Sequence, residues 1–215
     1  MALVLFSGGQ DSTTCLAMAK HKHSNVEAIC IDYGQRHRIE LDQAKIIADR
    51  SDTPLTIIKT DLLAQLTNSA LTQADQKIEI KQNALPSTFV PGRNQLFLTL
   101  AAIVAYQKKI SVIYTGVCQT DYSGYPDCRD DFIQSLTQTI NLAMNTTITI
   151  ETPLMWLTKA ETIRVMQTLG RLDWYADTHT CYEGMRPACG QCPACKLRLK
   201  GFNDAGVVDP LTYIT

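Results

Sequence analysis

Short apolar stretches alternate with helix-like segments through the first 60 residues of the chain. Residues 2–6, 26–32 and 55–58 are apolar runs of strand length, and residues 12–21 and 39–51 repeat apolar positions at helical spacing. Strands separated by helices of this length are typical of βαβ units, in which the strands pair in parallel. The pattern therefore predicts a parallel sheet covered by helices.

The same alternation continues in the second half of the chain. Helical patterns cover residues 95–106, 130–143 and 159–169, and apolar strands are predicted at residues 111–117 and 147–150. Parallel sheets of this kind are buried on both faces, because the connecting helices pack on either side. We predict an α/β fold, an open parallel-sheet three-layer sandwich.

Two parts of the sequence are less regular. Residues 60–91 are rich in Asn, Gln, Ser and Thr, and the chain after Gly170 is irregular around a group of cysteines. We therefore expect an α/β domain at residues 1–170. A helical C-terminal lobe at residues 171–215 is expected to pack with it as one compact unit.

Charge and hydrophobicity exclude several classes of protein. The chain of 215 residues has 20 Lys and Arg against 21 Asp and Glu, a net charge of −1. Proteins whose main task is to bind nucleic acid usually carry a clear basic excess. No apolar run approaches the ~20 residues that cross a bilayer, and the N-terminus lacks the basic start of a signal peptide. We expect a soluble cytoplasmic protein that binds neither nucleic acid nor membrane.

A glycine-containing loop joins the first strand to the first helix. Two glycines allow positive φ and a close backbone approach, so that successive N–H groups face an anion. The following Ser12 and Thr13 lie in the first helical turn, where free N–H groups add to the positive end of the helix. The loop is predicted to bind pyrophosphate; the alternative is an ordinary glycine turn capped by serine. Its sequence is Ser7-Gly8-Gly9-Gln10-Asp11-Ser12.

Four of the eight cysteines lie within one short stretch, at Cys181, Cys189, Cys192 and Cys195. Four thiolates complete a tetrahedral Zn²⁺ shell with no open position, which predicts one structural zinc ion per chain. The same spacing also suits a [4Fe–4S] cluster, and free thiols or disulfides are the remaining alternative. His179 is a candidate for a supporting residue or an alternative ligand.

The loop at residues 7–12 resembles the PP-loop of the N-type ATP pyrophosphatases, which have an adenine nucleotide alpha-hydrolase-like fold. This resemblance implies that a substrate oxygen attacks the α-phosphate of ATP and that pyrophosphate leaves into the loop. It also implies catalytic roles for Ser7, Asp11, Ser12 and Lys159, with Lys159 neutralising charge on the α-phosphate unless it is simply solvated. The ATP contacts that it implies are Phe6, Ser7, Gly8, Gly9, Gln10, Asp11, Ser12, Thr13, Thr14, Cys15 and Leu16.

Five stretches of the chain resemble one PP-loop family, the 7-cyano-7-deazaguanine synthases of queuosine biosynthesis. The resemblance covers nearly the whole chain and implies a ligase that forms carbon–nitrogen bonds. Its substrates would be 7-carboxy-7-deazaguanine, ammonia and ATP with Mg²⁺, its product 7-cyano-7-deazaguanine, and its assembly a homodimer. Adenylation of the carboxylate would lead to an amide, and a second activation and dehydration to the nitrile. The stretches are residues 6–16, 32–37, 90–94, 121–129 and 189–195.

Polar and aromatic residues follow the predicted fourth strand, where α/β sheets place ligand loops. A carboxylate there matches the N1–H and 2-amino donors of a guanine-like base, and a tyrosine ring can stack on it. The alternatives are an ordinary turn at residues 121–129 and helix capping by Asn94. Arg36, His37 and Arg38 are further candidates for nucleotide contacts, although His37 also fits a loop histidine. The predicted substrate-binding residues are Arg93, Asn94, Asp121, Tyr122, Ser123, Tyr125 and Asp127.

Two other functions fit parts of the sequence. A PP-loop tRNA sulfurtransferase with an iron–sulfur cluster could use Cys118 and Cys128 as sulfur carriers, but the absence of a basic excess counts against it. A zinc-ribbon module that binds nucleic acid is supported by Lys196, Arg198 and Lys200, which fit a solvated helix face equally well.

Overall fold

The computed structural model describes residues 1–35, 38–72, 85–120 and 125–214. Within them, five strands form one sheet in which every pairing is parallel, in the order β3-β2-β1-β4-β5. This arrangement confirms the predicted parallel sheet. The strands are β1 (Ala2–Leu5), β2 (Val26–Asp32), β3 (Leu55–Lys59), β4 (Val112–Tyr114) and β5 (Thr149–Glu151).

Helices connect successive strands as the sequence pattern predicts, with ends that agree within a few residues. Two short 3₁₀ helices, Pro126–Cys128 and Leu172–Asp177, add to them. The α-helices are α1 (Gln10–Lys22), α2 (Ile39–Arg50), α3 (Leu62–Leu66), α4 (Arg93–Gln107), α5 (Asp130–Met144), α6 (Lys159–Thr168) and α7 (Pro193–Ala205).

The sheet separates two hydrophobic cores, which makes the molecule a three-layer sandwich. Alternate residues of β1 point to opposite faces, so that Ala2 and Val4 belong to one core and Leu3 to the other. The first core packs the sheet against α1, α2, α6 and α7, and the second packs it against α3, α4 and α5. The predicted fold class is therefore confirmed.

The C-terminal lobe shares the first core with the rest of the chain. Trp174, Tyr175 and Phe202 are buried among residues of β1, α1 and α6. None of the helices in the described residues is long and apolar enough to span a membrane.

Arg198 corrects one expectation about this lobe. Its side chain is fully buried, and its guanidinium donates two hydrogen bonds of 2.8 Å to the carboxylate of Asp209 and one of 2.6 Å to Thr178. The interpretation of Arg198 as part of a solvated or nucleic-acid-binding helix face is therefore wrong. A guanidinium can be buried here because the chain after α7 folds back and supplies a bidentate carboxylate.

Candidate functional site

A cavity of about 380 Å³ lies at the carboxyl ends of β1 and β4. The chain leaves β1 into α1 on one face of the sheet and leaves β4 into α5 on the other. Ligands of open α/β sheets bind at such a switch point. The predicted strand at residues 111–117 is shorter in the structure, because Thr115, Gly116, Val117 and Cys118 turn across the sheet edge and line this cavity.

The phosphate loop lies along one side of the cavity. Gly9 is the N-cap residue of α1, and within the described chain no side chain caps this helix, which leaves its first N–H groups available to an anion. The Ser7 and Ser12 hydroxyls lie 3.1 Å apart, and the Ser12 hydroxyl donates to the Gly9 carbonyl oxygen at 3.1 Å. These bonds fix the conformation of the loop.

The predicted ATP contacts divide into two groups. Phe6, Ser7, Gly9, Gln10, Asp11 and Ser12 line the cavity. Gly8 forms the turn itself with a φ of +78°. Thr13, Thr14, Cys15 and Leu16 are buried in the body of α1, and the Thr14 hydroxyl lies 2.6 Å from the Tyr175 hydroxyl. Of the predicted ATP contacts, the structure therefore places residues 6–12 in or beside the cavity and residues 13–16 away from it.

Lys159 reaches the phosphate loop from the first residue of α6. Its ammonium donates to both carboxylate oxygens of Asp11 at 2.7 Å, and its side chain is only 13% exposed. A capping box between Thr158 and Glu161 fixes the start of this helix. The structure thus brings the Lys159 ammonium and the Asp11 carboxylate, which the sequence predicts to be catalytic groups, together in the cavity.

Replacing Gly201 by alanine is expected to reduce activity, although Gly201 itself does not line the cavity. A Cβ at Gly201 in α7 would lie 2.7 Å from the Cβ and 3.0 Å from the Cγ of Lys159, so α6 and α7 must separate. Overpacking of this kind costs about 1–3 kcal/mol of stability. We expect a lower unfolding midpoint and a lower kcat, measured by denaturant titration and steady-state kinetics. An unchanged kcat in Gly201→Ala relative to the wild type would show that the position of Lys159 does not depend on the close packing of α6 against α7.

Arg93 and Asn94, at the start of α4, line the cavity together with Tyr125. The Asn94 side chain does not cap the helix, as one alternative proposed, but donates to the Asp127 carbonyl oxygen at 3.0 Å. Asp127 itself is buried, and its carboxylate accepts the Asn94 backbone N–H at 3.2 Å. Asn94 and Asp127 therefore anchor the 3₁₀ helix Pro126–Cys128 to α4. The predicted contacts Asp121, Tyr122 and Ser123 lie outside the described residues.

Arg38 is the one described member of the basic group proposed for nucleotide contacts. Its guanidinium donates to the Asp32 carboxylate at 2.8 Å, and its side chain is largely exposed. It therefore lies apart from the residues that line the cavity. Arg36 and His37 lie outside the described residues.

Aromatic side chains cover the cavity beside α4. We call Tyr33, Phe97, Tyr125 and Tyr182 the aromatic wall; all four line the cavity. The rings of Tyr33 and Phe97 are 5.2 Å apart, and the Arg93 guanidinium lies 5.9 Å from the centre of the Tyr125 ring. Sequence reasoning identified only Tyr125, since the other three lie on separate segments that the fold brings together.

Glu40 is a further cavity residue that sequence reasoning missed. It lies in the first turn of α2. Burial raises the pKa of its carboxyl to about 7, although the Arg93 guanidinium acts in the opposite direction. The sequence places Glu40 on a helix with exposed charges, and only the packing of α2 against the phosphate loop reveals its position.

The four clustered cysteines form a candidate metal centre. The ligand atoms of Cys181, Cys189, Cys192 and Cys195 all lie within 4.8 Å of one another. Although burial acts to raise the pKa of Cys189, backbone N–H groups of Cys192 and Gln191 lower it to about 7. Four soft thiol donors, one already inclined to ionise, fit a closed tetrahedral metal site.

The metal centre is continuous with the phosphate loop. The backbone N–H of His179 donates to the Gly8 carbonyl oxygen at 3.1 Å, and its imidazole Nε2 donates to the Cys181 carbonyl oxygen at 2.8 Å. His179 therefore supports the cysteine loop from outside the four-thiol group. These two hydrogen bonds connect the cysteine loop to the phosphate loop through one residue.

Comparison with known proteins identifies a family and several relatives. A profile described as queuosine biosynthesis protein QueC matches residues 1–206. A 7-cyano-7-deazaguanine synthase of Lysinibacillus sphaericus (strain C3-41) is 52% identical over 206 residues, which cover 94% of each chain. The protein of that name from Bacillus subtilis (strain 168) is 51% identical over 205 residues, also 94% of each. The one from Laribacter hongkongensis (strain HLHK9) is 50% identical over 213 residues, 98% of this chain and 93% of the relative.

A similar solved structure is the crystal structure of a 4-thiouridine synthetase–RNA complex with bound ATP. Its TM-score is 0.53 at 16% identity, and the match covers 95% of this chain. The chain spans about half the length of that protein, since the match covers 51% of it. This likeness concerns the fold, and it agrees with the predicted three-layer α/β sandwich.

Proposed function

Because the chain belongs to the QueC family of queuosine biosynthesis proteins, we propose that it converts 7-carboxy-7-deazaguanine and ammonia to 7-cyano-7-deazaguanine in an ATP-dependent ligase reaction. The observation that carries this proposal is the set of residues that line one cavity. A phosphate loop with the Asp11–Lys159 pair lines it together with the aromatic wall and Arg93. An activating nucleotide and a flat heterocyclic acid can therefore meet there.

The chemistry requires two activations of one carbon atom. A carboxylate is a poor electrophile, so its oxygen first attacks the α-phosphate of ATP and releases pyrophosphate. Ammonia displaces AMP from the acyl adenylate and gives the amide. The amide oxygen then attacks the α-phosphate of a second ATP, and loss of AMP and protons leaves the nitrile. Both activations use the same loop.

The residues of the cavity have distinct tasks in this scheme. The N–H groups at the start of α1 receive the leaving pyrophosphate, and Lys159 stabilises the charge that develops at the α-phosphate. The aromatic wall holds the ring against the nucleotide and keeps water from the activated carbon. Arg93 supplies a positive charge on the substrate side.

The metal centre has a structural task in this proposal. We assign Zn²⁺ to the four cysteines and Mg²⁺ to the ATP. A zinc ion with four thiolate ligands has no open position, so it supplies folding energy rather than a reaction step. The homodimer that the family resemblance implies stays a prediction.

The sulfurtransferase alternative is not favoured. The relatives at about 50% identity are named 7-cyano-7-deazaguanine synthases. Burial raises the pKa of Cys128 to about 11, which keeps it a thiol, whereas a sulfur carrier acts as a thiolate. The Cys118 thiol donates to the Leu157 carbonyl oxygen at 3.3 Å.

Mass spectrometry of a turnover mixture tests the proposed function. Purified protein is incubated with ATP, Mg²⁺, ammonium and 7-carboxy-7-deazaguanine, and we expect the amide and then the nitrile, neither of them without ATP. An absence of both products from protein that binds ATP would contradict the proposal.

Replacing Lys159 by methionine is expected to lower kcat by about 10²–10³-fold, because one preorganised charge at the reacting phosphate is lost. Lys200→Met is the matched control, since Lys200 is exposed on α7 and paired with Asp204. Steady-state kinetics on both variants provides the measurement. An unchanged kcat in Lys159→Met would remove Lys159 from the phosphate chemistry.

A further inference from the structure

The cavity contains a carboxyl group to which the proposed chemistry assigns no task. Glu40 lines the cavity, and its carboxyl interacts electrostatically with the Arg93 guanidinium and with the hydroxyls of Tyr33 and Tyr182. Within the part of the chain that the structure describes, this carboxyl has no hydrogen bond and no ion pair. Its ability to accept hydrogen bonds is therefore available to a ligand.

Two other carboxylates near the cavity differ from Glu40. Asp11 is bound by Lys159 at 2.7 Å, and Asp127 accepts the backbone N–H of Asn94. Asp127 was also predicted to recognise the base; its Oδ2 accepts the Asn94 backbone N–H, and its Oδ1 is buried without a hydrogen-bond partner among the described residues, but Asp127 does not line the cavity. Glu40 is the described carboxyl that lies among the aromatic wall and is not occupied in this way.

The surroundings of Glu40 match the edge of a guanine-like ring. Such a ring presents N1–H and 2-amino donors beside a carbonyl oxygen. A carboxylate accepts two adjacent donors in a bidentate arrangement, and a neighbouring guanidinium donates to the carbonyl oxygen. Aromatic side chains stack on the faces of a base whose edge is read in this way.

Resting on the proposed function, we propose that Glu40 is the specificity-determining residue for the heterocycle. Its carboxylate accepts the N1–H and 2-amino groups of the deazaguanine ring, while Arg93 donates to the ring carbonyl oxygen. A ring without the 2-amino group loses one of these bonds and leaves a carboxylate oxygen unpaired in a half-buried site.

Binding of two ligands to two proteins tests this assignment. Isothermal titration calorimetry without ATP compares 7-carboxy-7-deazaguanine with its analogue that lacks the 2-amino group, at pH 8, where a carboxyl with a pKa of about 7 is ionised. The wild type is expected to bind the first ligand about 10–100-fold more tightly. In Glu40→Gln that preference is expected to disappear, mainly because the first ligand binds more weakly.

Asp42→Asn is the matched control, because Asp42 shares the first turn of α2 but is exposed and paired with Lys45. It is expected to keep the wild-type preference. A wild type that binds both ligands equally contradicts the proposal without any variant. A Glu40→Gln protein whose affinity for both ligands falls by the same factor, or for neither, also contradicts it. If the wild type still makes the nitrile, such a result leaves the proposed function standing. A wild type that binds neither ligand and makes no nitrile overturns both.

Discussion

Replacing Gly8 by alanine is expected to abolish ATP-dependent turnover. Gly8 has a φ of +78°, where a side chain costs about 1–2 kcal/mol. A Cβ there would also lie 2.6 Å from the Glu40 carbonyl oxygen and 2.7 Å from the Ala44 backbone nitrogen. Both atoms belong to the backbone of α2, so the loop itself must move. We expect a Kd for ATP raised beyond measurement and a lower unfolding midpoint, from calorimetry and denaturant titration.

Gly170→Ala separates the two causes of this effect. Gly170 also has a positive φ, +64°, but no described atom lies within 4 Å of its added Cβ. In Gly170→Ala we therefore expect only the loss of stability that comes from a side chain at positive φ, with ATP binding retained. If Gly8→Ala behaved like Gly170→Ala, the close approach of α2 would not be what shapes the phosphate loop.

Replacing Cys192 by serine is expected to remove the metal and to unfold the cysteine loop. Structural zinc sites contribute about 10–16 kcal/mol of apparent binding free energy, which a three-thiolate site cannot retain. Because His179 bonds to the Gly8 carbonyl oxygen, we also expect weaker ATP binding. Metal analysis, hydrogen exchange over residues 178–195 and ATP titration measure the three effects.

Cys118→Ser is the control for metal content, since Cys118 lies outside the four-thiol group. It is expected to retain one metal ion per chain. A metal-free Cys192→Ser protein with an ordered cysteine loop and normal ATP binding would show that the metal is not structural. Iron and sulfide in place of zinc would instead identify the cluster that the spacing also allows.

Local patterns in the sequence predict most of the fold. Strand β2 has the predicted bounds, because five of its seven residues are apolar, three of them β-branched, and polar segments flank it on both sides. The five residues of α3 are too few to show helical periodicity. Strand β4 is shorter than its apolar run, since the end of that run lines the cavity instead of pairing in the sheet.

The candidate site is predictable where its chemistry is contiguous in sequence. The phosphate loop and the four cysteines have characteristic spacings, and the structure places each group together. Tertiary packing decides the rest. The sequence cannot show that Asp127 turns towards α4, that Arg198 is buried against Asp209, or that Glu40 lies beside the aromatic wall.

The fate of the carboxylate oxygens tests the central claim that the acid is activated by adenylation. The substrate is labelled with ¹⁸O in both carboxylate oxygens, and the products are analysed by mass spectrometry. The proposed scheme predicts that AMP carries one ¹⁸O atom at each activation, with unlabelled pyrophosphate and an unlabelled nitrile. Label in inorganic phosphate, accompanied by ADP, or label released only as water would contradict it.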